Sequence, residues 1–166
     1  MSTIVYLSLG SNMGDRLANL QKGQALLANH PQIQIQTVSS YYQTSPVGGV
    51  VQDDFINQAM RVQTQLGAEE LLDYIHEIEA ELLRKRVIVW GPRTLDIDIL
   101  FYGDQVSDDP DLTLPHPEIY NRLFVLVPLL EVLADDFPDR DQIQMAIDQI
   151  QVQTQQSIEK IESVGN

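Results

Sequence analysis

The sequence predicts an α+β domain in which helices pack mostly on one side of a partly antiparallel sheet. Three observations predict it. Four runs, at residues 3–9, 33–43, 54–65 and 95–102, carry the apolar or alternating character of strands. Residues 68–83 (AEELLDYIHEIEAELL) place Leu71, Leu72, Ile75, Ile78 and Leu82 three to four apart, the stripe of an amphipathic helix. Between residues 33 and 65 two strand-like runs follow each other with no helix between them. That breaks the strict strand–helix alternation of a doubly wound parallel sheet.

The elements follow in order. Residues 3–9 (TIVYLSL) are β-branched and apolar, a buried strand, and Gly10-Ser11-Asn12 reads as the turn that ends it. Asp15 stands where a side-chain cap would start a helix with Leu17, Leu20 and Leu27 on its stripe, and Pro31 follows its end. Residues 33–43 alternate in part (Ile33, Ile35, Thr37) and read as one strand. Thr44, Pro46, Val47 and the two glycines after them form a loop. In residues 54–65, Phe55, Asn57, Ala59 and Arg61 share a face. Residues 104–118 hold three prolines and several aspartates and read as loop. Residues 121–134 suggest a helix with Pro128 near its start or at a kink. Residues 140–161, with Ile143, Ile147, Ile150, Ile158 and Ile161 at helical spacing, read as a terminal helix. No internal repeat or linker divides residues 1–166, so one domain is expected.

Composition narrows the function. The formal net charge of −14 argues against a broad nucleic-acid surface, which needs Lys and Arg to displace counterions. The absence of cysteine excludes disulfides, thiol chemistry and a cysteine zinc site. The first residues lack the basic flank of a secretory signal, and no apolar run approaches the roughly 20 residues that span a bilayer. The expected location is therefore the cytoplasm. Four of the ten basic residues, Arg84, Lys85, Arg86 and Arg93, lie within ten positions. Such a segment suits a polyphosphate, although cations at a helix end also suit the helix dipole.

The chemistry concentrates in W-G-P-R-T-L-D-I-D-I-L, residues 90–100. Side chains two apart on a strand share a face, so Asp96 and Asp98 project together while Ile97 and Ile99 face the core. Adjacent carboxylates repel each other unless a cation lies between them, and Mg²⁺ is commonly bound by one or two carboxylates plus substrate phosphates. A lone D-x-D is more often an exposed sheet face; the basic segment just upstream shifts the reading toward a metal–nucleotide site. The Gly10–Gly14 stretch lacks the Lys-Ser/Thr of a phosphate-binding loop, so arginines and metal must hold any nucleotide. His116, fixed between two prolines, could contact a phosphate or base. Asn57 offers paired donor and acceptor groups to a heterocycle edge.

At this stretch the chain resembles the 6-hydroxymethyl-7,8-dihydropterin pyrophosphokinase family of folate synthesis. The resemblance runs from Tyr6-Leu-Ser-Leu-Gly-Ser-Asn through Ser39-Ser-Tyr-Tyr-Gln-Thr-Ser-Pro-Val-Gly, Phe55-Ile-Asn-Gln-Ala and Leu114-Pro-His-Pro to Asn121-Arg-Leu-Phe-Val-Leu-Val-Pro-Leu. It implies a ferredoxin-like α+β fold, a mostly antiparallel sheet with helices packed on its faces. It implies transfer of pyrophosphate from ATP to the pterin hydroxymethyl group, giving AMP and the pterin diphosphate. Asp96 and Asp98 would bind two Mg²⁺ ions and act catalytically with Arg84 and Arg93. ATP would meet Glu79, Arg84, Arg86, Trp90, Arg93, Ile99, Thr113, His116 and Arg122. The pterin would lie between Phe55 and Phe124, near Trp90, Pro46 and Asp96, with Asn57 and the backbone of Thr44 and Val47 reading its edge. Residues 84–93 would close over both substrates. The expected partners are these small molecules alone, with no nucleic acid or membrane, and the chain is expected to be a monomer.

Departures from the family pattern fall at Leu83, where relatives carry Gly, at Val87-Ile88-Val89, where several are more polar, at Asp111, where some have a cation, and at Phe55, which replaces a Tyr. A non-catalytic binding module and a different metal-dependent phosphoryl-transfer enzyme or phosphohydrolase would carry many of the same residues.

Overall fold

The computed structural model describes residues 2–12, 14–44, 55–84, 95–153 and 158–161. The longest strands are β1 (Thr3–Ser11) and β4 (Phe55–Thr64), and they pair antiparallel along their whole length, from Thr3 opposite Thr64 to Ser11 opposite Ile56. β5 (Asp96–Tyr102) runs antiparallel to β1 on its other side. The free edge of β4 takes two strands end to end, β2 (Ile33–Val38) and β3 (Tyr41–Thr44). β8 (Ile158–Ile161) pairs outside β3, giving the order β5-β1-β4-β3-β8 with β2 also on β4. Every pairing among these described strands is antiparallel. Helix α1 (Arg16–Asn29) connects β1 to β2, and α2 (Ala68–Arg84) follows β4. This is the ferredoxin-like α+β arrangement, elaborated by added strands.

Alternation divides the core into two layers. Val5, Leu7 and Leu9 of β1, Ile56, Met60 and Val62 of β4, and Ile97 and Ile99 of β5 face α1 and α2. There they meet Leu20, Leu27, Leu71, Ile75, Ile78 and Leu82. Tyr6, Ala59 and Phe101 point the other way. They pack with Leu123, Leu126 and Leu129 of α3 (Leu123–Val132) and with Ile143 and Ile147 of α4 (Arg140–Gln153). Helices therefore cover both faces, not mostly one. Helix α3 is apolar on nearly every side because it lies between the sheet and α4, so it has no solvent stripe to mark it. A bulge between Tyr6 and Leu7 changes the phase of β5, which is how Ile99 faces one layer and Phe101 the other.

Four sequence expectations are corrected. Gly10 and Ser11 continue β1 instead of turning, since both have partners on β4. The single strand at 33–43 is two: at Ser39 the backbone N–H donates to Ala59 O at 2.8 Å, the hydroxyl accepts from Ala59 N–H at 2.8 Å, and the chain kinks there while staying on β4. Residues 104–118 are not all loop, because β6 (Ser107–Asp109) and β7 (Leu112–Leu114) form a short hairpin. The terminal helix stops at Gln153, and Ile158–Ile161 is a strand. Its two isoleucines reach opposite layers, Ile161 with the first core and Ile158 with the second, as a strand requires and a helix stripe does not. Asp15 does cap α1, its carboxylate accepting from Ala18 N–H at 3.1 Å. Among the described residues no helix is long and apolar enough to cross a membrane.

Candidate active site

On the sheet face that carries α3, residues become small and polar toward one end. Along β1 the face reads Tyr6, Ser8, Gly10; along β4, read in the same direction, Arg61, Ala59, Asn57. Register sets these beside β5: Ala59, Ser8 and Asp98 form one cross-strand row, and Asn57, Gly10 and Asp96 the next. Helix α3 packs on the Tyr6 and Ala59 part of this face. The polar end lies past it. Asp96 and Asp98 leave the same face while Ile97 and Ile99 anchor the strand in the first core, 4% and 5% exposed.

A cleft of about 250 Å³ opens beside this end. It gathers Glu79 of α2, Asp96, Asp98 and Ile99 of β5, Thr113 of β7 and His116 beyond it. These come from three separate stretches of chain, and each is held by its own contacts. Glu79 accepts a hydrogen bond from Ile97 N–H at 2.9 Å, tying α2 to β5 between the two aspartates. Thr113 donates its hydroxyl hydrogen to Asp109 O at 3.0 Å, closing the hairpin. His116 donates its backbone N–H to Leu100 O at 3.0 Å and accepts at Nδ1 from Glu118 N–H at 3.1 Å. A neutral ring bound in this way carries its proton on Nε2, which faces Asp98 Oδ1 at 3.9 Å.

The remaining expected contacts are placed differently. Arg122, just before α3, lies 5.6 Å over the Phe124 ring and 3.9 Å from Glu118. Unlike His116, it does not line the cleft. Phe124 is half-buried in the first turn of α3, and Phe55 is half-buried at the start of β4, two residues from Asn57 on the same face. Asn57 is 3% exposed. Thr44 ends β3 opposite Phe55, and Arg84 ends α2. Pro46, Val47, Arg86, Trp90 and Arg93, with the expected closure of residues 84–93, lie outside the described residues.

Leu72, His76, Pro110, Asp111 and Leu112 also line the cleft, and none was singled out as a binding residue from sequence. The signal was present for two of them. Leu72, His76 and Glu79 are spaced four and three apart, so they share one side of α2. Asp111 stood out only as a departure from the family pattern.

Among the described residues no group of three or more His, Asp or Glu side chains could hold a metal by itself. Four carboxylates of the described residues line the cleft, those of Glu79, Asp96, Asp98 and Asp111; Glu79 accepts from Ile97 N–H, and Asp96 and Asp98 are the pair of hard donors that share one strand face. That pair fits Mg²⁺, which keeps several waters and completes its octahedron with substrate phosphates. It does not make an all-protein cage.

Comparison with known proteins is consistent in fold and sequence. A family profile described as 7,8-dihydro-6-hydroxymethylpterin-pyrophosphokinase (HPPK) matches residues 6–134. The chain is 54% identical over 142 residues to the bifunctional protein FolKE of Lactococcus lactis subsp. cremoris, covering 86% of this chain and 41% of that protein. It spans about two-fifths of the length of the FolKE relatives it matches. It is 46% identical to the 2-amino-4-hydroxy-6-hydroxymethyldihydropteridine pyrophosphokinase of Bacillus subtilis, covering 80% of this chain and 79% of that protein. A crystal structure of wild-type Plasmodium falciparum HPPK-DHPS with SDX-DHP superposes with a TM-score of 0.66 at 14% identity, over 90% of this chain and 44% of that one. That last likeness speaks for the fold.

Proposed function

The chain belongs to the 7,8-dihydro-6-hydroxymethylpterin-pyrophosphokinase family, and on that premise we propose that it transfers pyrophosphate from ATP to 6-hydroxymethyl-7,8-dihydropterin, in the cytoplasm and as a monomer. The observation that carries the reading is the cleft in which Asp96, Asp98, Glu79, Thr113 and His116 meet, with Asn57 one strand away across Gly10. ATP would occupy the cleft, and the pterin the neighbouring end of the same sheet face.

Asn57 would read the heterocycle edge, since one amide supplies both a donor and an acceptor in a fixed plane. Phe55 and Phe124 would hold the ring from its two sides. On the nucleotide side His116 Nε2–H would donate to a phosphate oxygen, and Arg84, Arg93 and Arg122 would balance charge on the transferred and leaving groups. Asp96 and Asp98 would hold Mg²⁺, which supplies charge neutralisation on the polyphosphate and orients it. The substrate hydroxyl would then attack the β-phosphorus in line: the new O–P bond forms as the bond to the α-phosphate oxygen breaks, AMP departs, and the hydroxyl proton is released to water. No residue of the cleft is required as a strong base. Most of the rate would come from holding the two substrates in line.

The test is a coupled AMP assay with Mg·ATP, with and without the hydroxymethyl-pterin. Pterin-dependent AMP formation is the expected result. Phosphate release without acceptor would point to a phosphohydrolase, and binding of both ligands without AMP to a non-catalytic module.

A further inference from the structure

Gly10 occupies the centre of the row Asn57–Gly10–Asp96, with its Cα paired to Asn57 on one side and to Asp96 on the other. Residues directly opposite each other on antiparallel strands share a face, so a side chain at position 10 would stand between the amide and the carboxylate. A Cβ built there would lie 2.7 Å from Asn57 Oδ1 and 3.6 Å from Phe55 Cδ1. The first distance is far inside van der Waals contact. The Asn57 side chain therefore leans across β1 into the space that any other residue at position 10 would fill. Asn57 and Gly10 are both buried, so the amide has little room to move aside.

We propose that Gly10 is a positioning residue for the pterin: its missing side chain sets the plane and depth of the Asn57 amide. This rests on the functional reading above and extends it to a residue that touches no expected ligand through a side chain. Glycine interrupts a strand at a cost, because it has more backbone freedom to lose and nothing to pack. Gly10 is paired on both sides in the middle of a three-strand segment, where a β-branched residue would ordinarily be favoured. The close approach of Asn57 accounts for its presence there.

The experiment compares wild type, Gly10→Ala, Asn57→Ala and the double variant. Calorimetry gives the affinity for the hydroxymethyl-pterin and, separately, for a non-hydrolysable Mg·ATP analogue, and thermal melting gives stability. Gly10→Ala is expected to weaken pterin binding by about tenfold or more, as loss of a well-placed buried hydrogen-bonding group does, with ATP-analogue affinity kept. In the Asn57→Ala background the same change should cost nothing further, because the group it displaces is gone. If Gly10→Ala alone folds poorly, the double variant removes the clash and is compared with Asn57→Ala directly. Unchanged pterin affinity in Gly10→Ala, equal losses for both ligands, or a further loss of the same size in the Asn57→Ala background would each overturn the assignment. Failure of the wild-type chain to bind the pterin would sink the functional reading itself. Melting-temperature coupling between positions 10 and 57 would then still report the contact without its pterin role.

Discussion

Asp96 and Asp98 sit two positions apart on β5, so their carboxylates leave one face of the sheet, opposite Gly10 and Ser8 of the neighbouring strand. Like charges this close favour whatever cation can join them. Replacing either with Ala removes half of the donor set. The expected outcome for Asp96→Ala or Asp98→Ala is a folded protein with turnover down by about 10²–10³-fold or more, since metal stabilisation of phosphate charge is worth several kcal/mol. Circular dichroism and the AMP assay at saturating Mg²⁺ check it, and near-normal turnover in both variants would remove the metal site from these residues. Asn57 is a different case, because it is buried and its worth lies in geometry. Asn57→Ala should weaken pterin binding by about 1–3 kcal/mol, the cost of leaving ligand groups unpaired, and leave ATP binding nearly intact. Equal losses for the two ligands would make Asn57 a structural amide. The aspartate pair was legible in the sequence because its spacing alone fixes a shared face. The glycine between the pair and Asn57 was not. Its role depends on a neighbour 47 positions away that only strand register reveals.

At the scale of elements, legibility followed how locally each segment is stabilised. Helix α2 was readable nearly to its ends because Leu71, Ile75, Ile78 and Leu82 mark its buried side by themselves. The kink at Ser39 and the strand at Ile158–Ile161 were not readable, because each is held by a distant partner: Ala59 for the first and Tyr41–Thr44 for the second. The spacing of Ile158 and Ile161 fits a helix equally well, and only the open edge of β3 decides for a strand. Glu131 adds to that edge from outside the sheet. Its carboxylate accepts from Ser40 N–H at 2.8 Å and from the Tyr42 hydroxyl, fastening β3 to α3. Removing the chain from Ile158 onward should therefore loosen β3. Two part-buried isoleucines are worth about 2 kcal/mol together, which for a domain of this size lowers the melting temperature by roughly 4–8 °C. Hydrogen exchange reads the same event locally: the β3 amides directed away from β4 should be protected in the full chain and exchange rapidly in the truncated one. An unchanged melting temperature together with unchanged protection would show that β8 contributes nothing to the sheet.

The whole molecule carries a net charge of −14, yet the proposed substrate is a polyanion. Two fields therefore act on an approaching Mg·ATP, and they differ in range. The four cations within residues 84–93 would act at contact distance, whereas the 24 Asp and Glu residues are spread along the chain, with Asp104, Asp108, Asp109 and Asp111 close to the cleft in sequence. The Debye length is about 30 Å at 0.01 M ionic strength and about 8 Å at 0.15 M. At low salt the nucleotide feels the entire acidic molecule and is repelled. Near 0.15 M the distant carboxylates are screened while cations at contact distance are screened far less. Association of Mg·ATP should accordingly speed up between 0.01 and 0.15 M salt at fixed free Mg²⁺, the reverse of the steep fall seen when a basic surface steers an anion. Stopped-flow binding of a fluorescent ATP analogue measures it. The hydroxymethyl-pterin lacks the polyphosphate charge, so its association rate should stay nearly flat over the same range and serves as the internal control. A rate for Mg·ATP that falls with salt would mean that the local cations dominate the field even at long range, and that the acidic balance of the chain has no bearing on nucleotide capture.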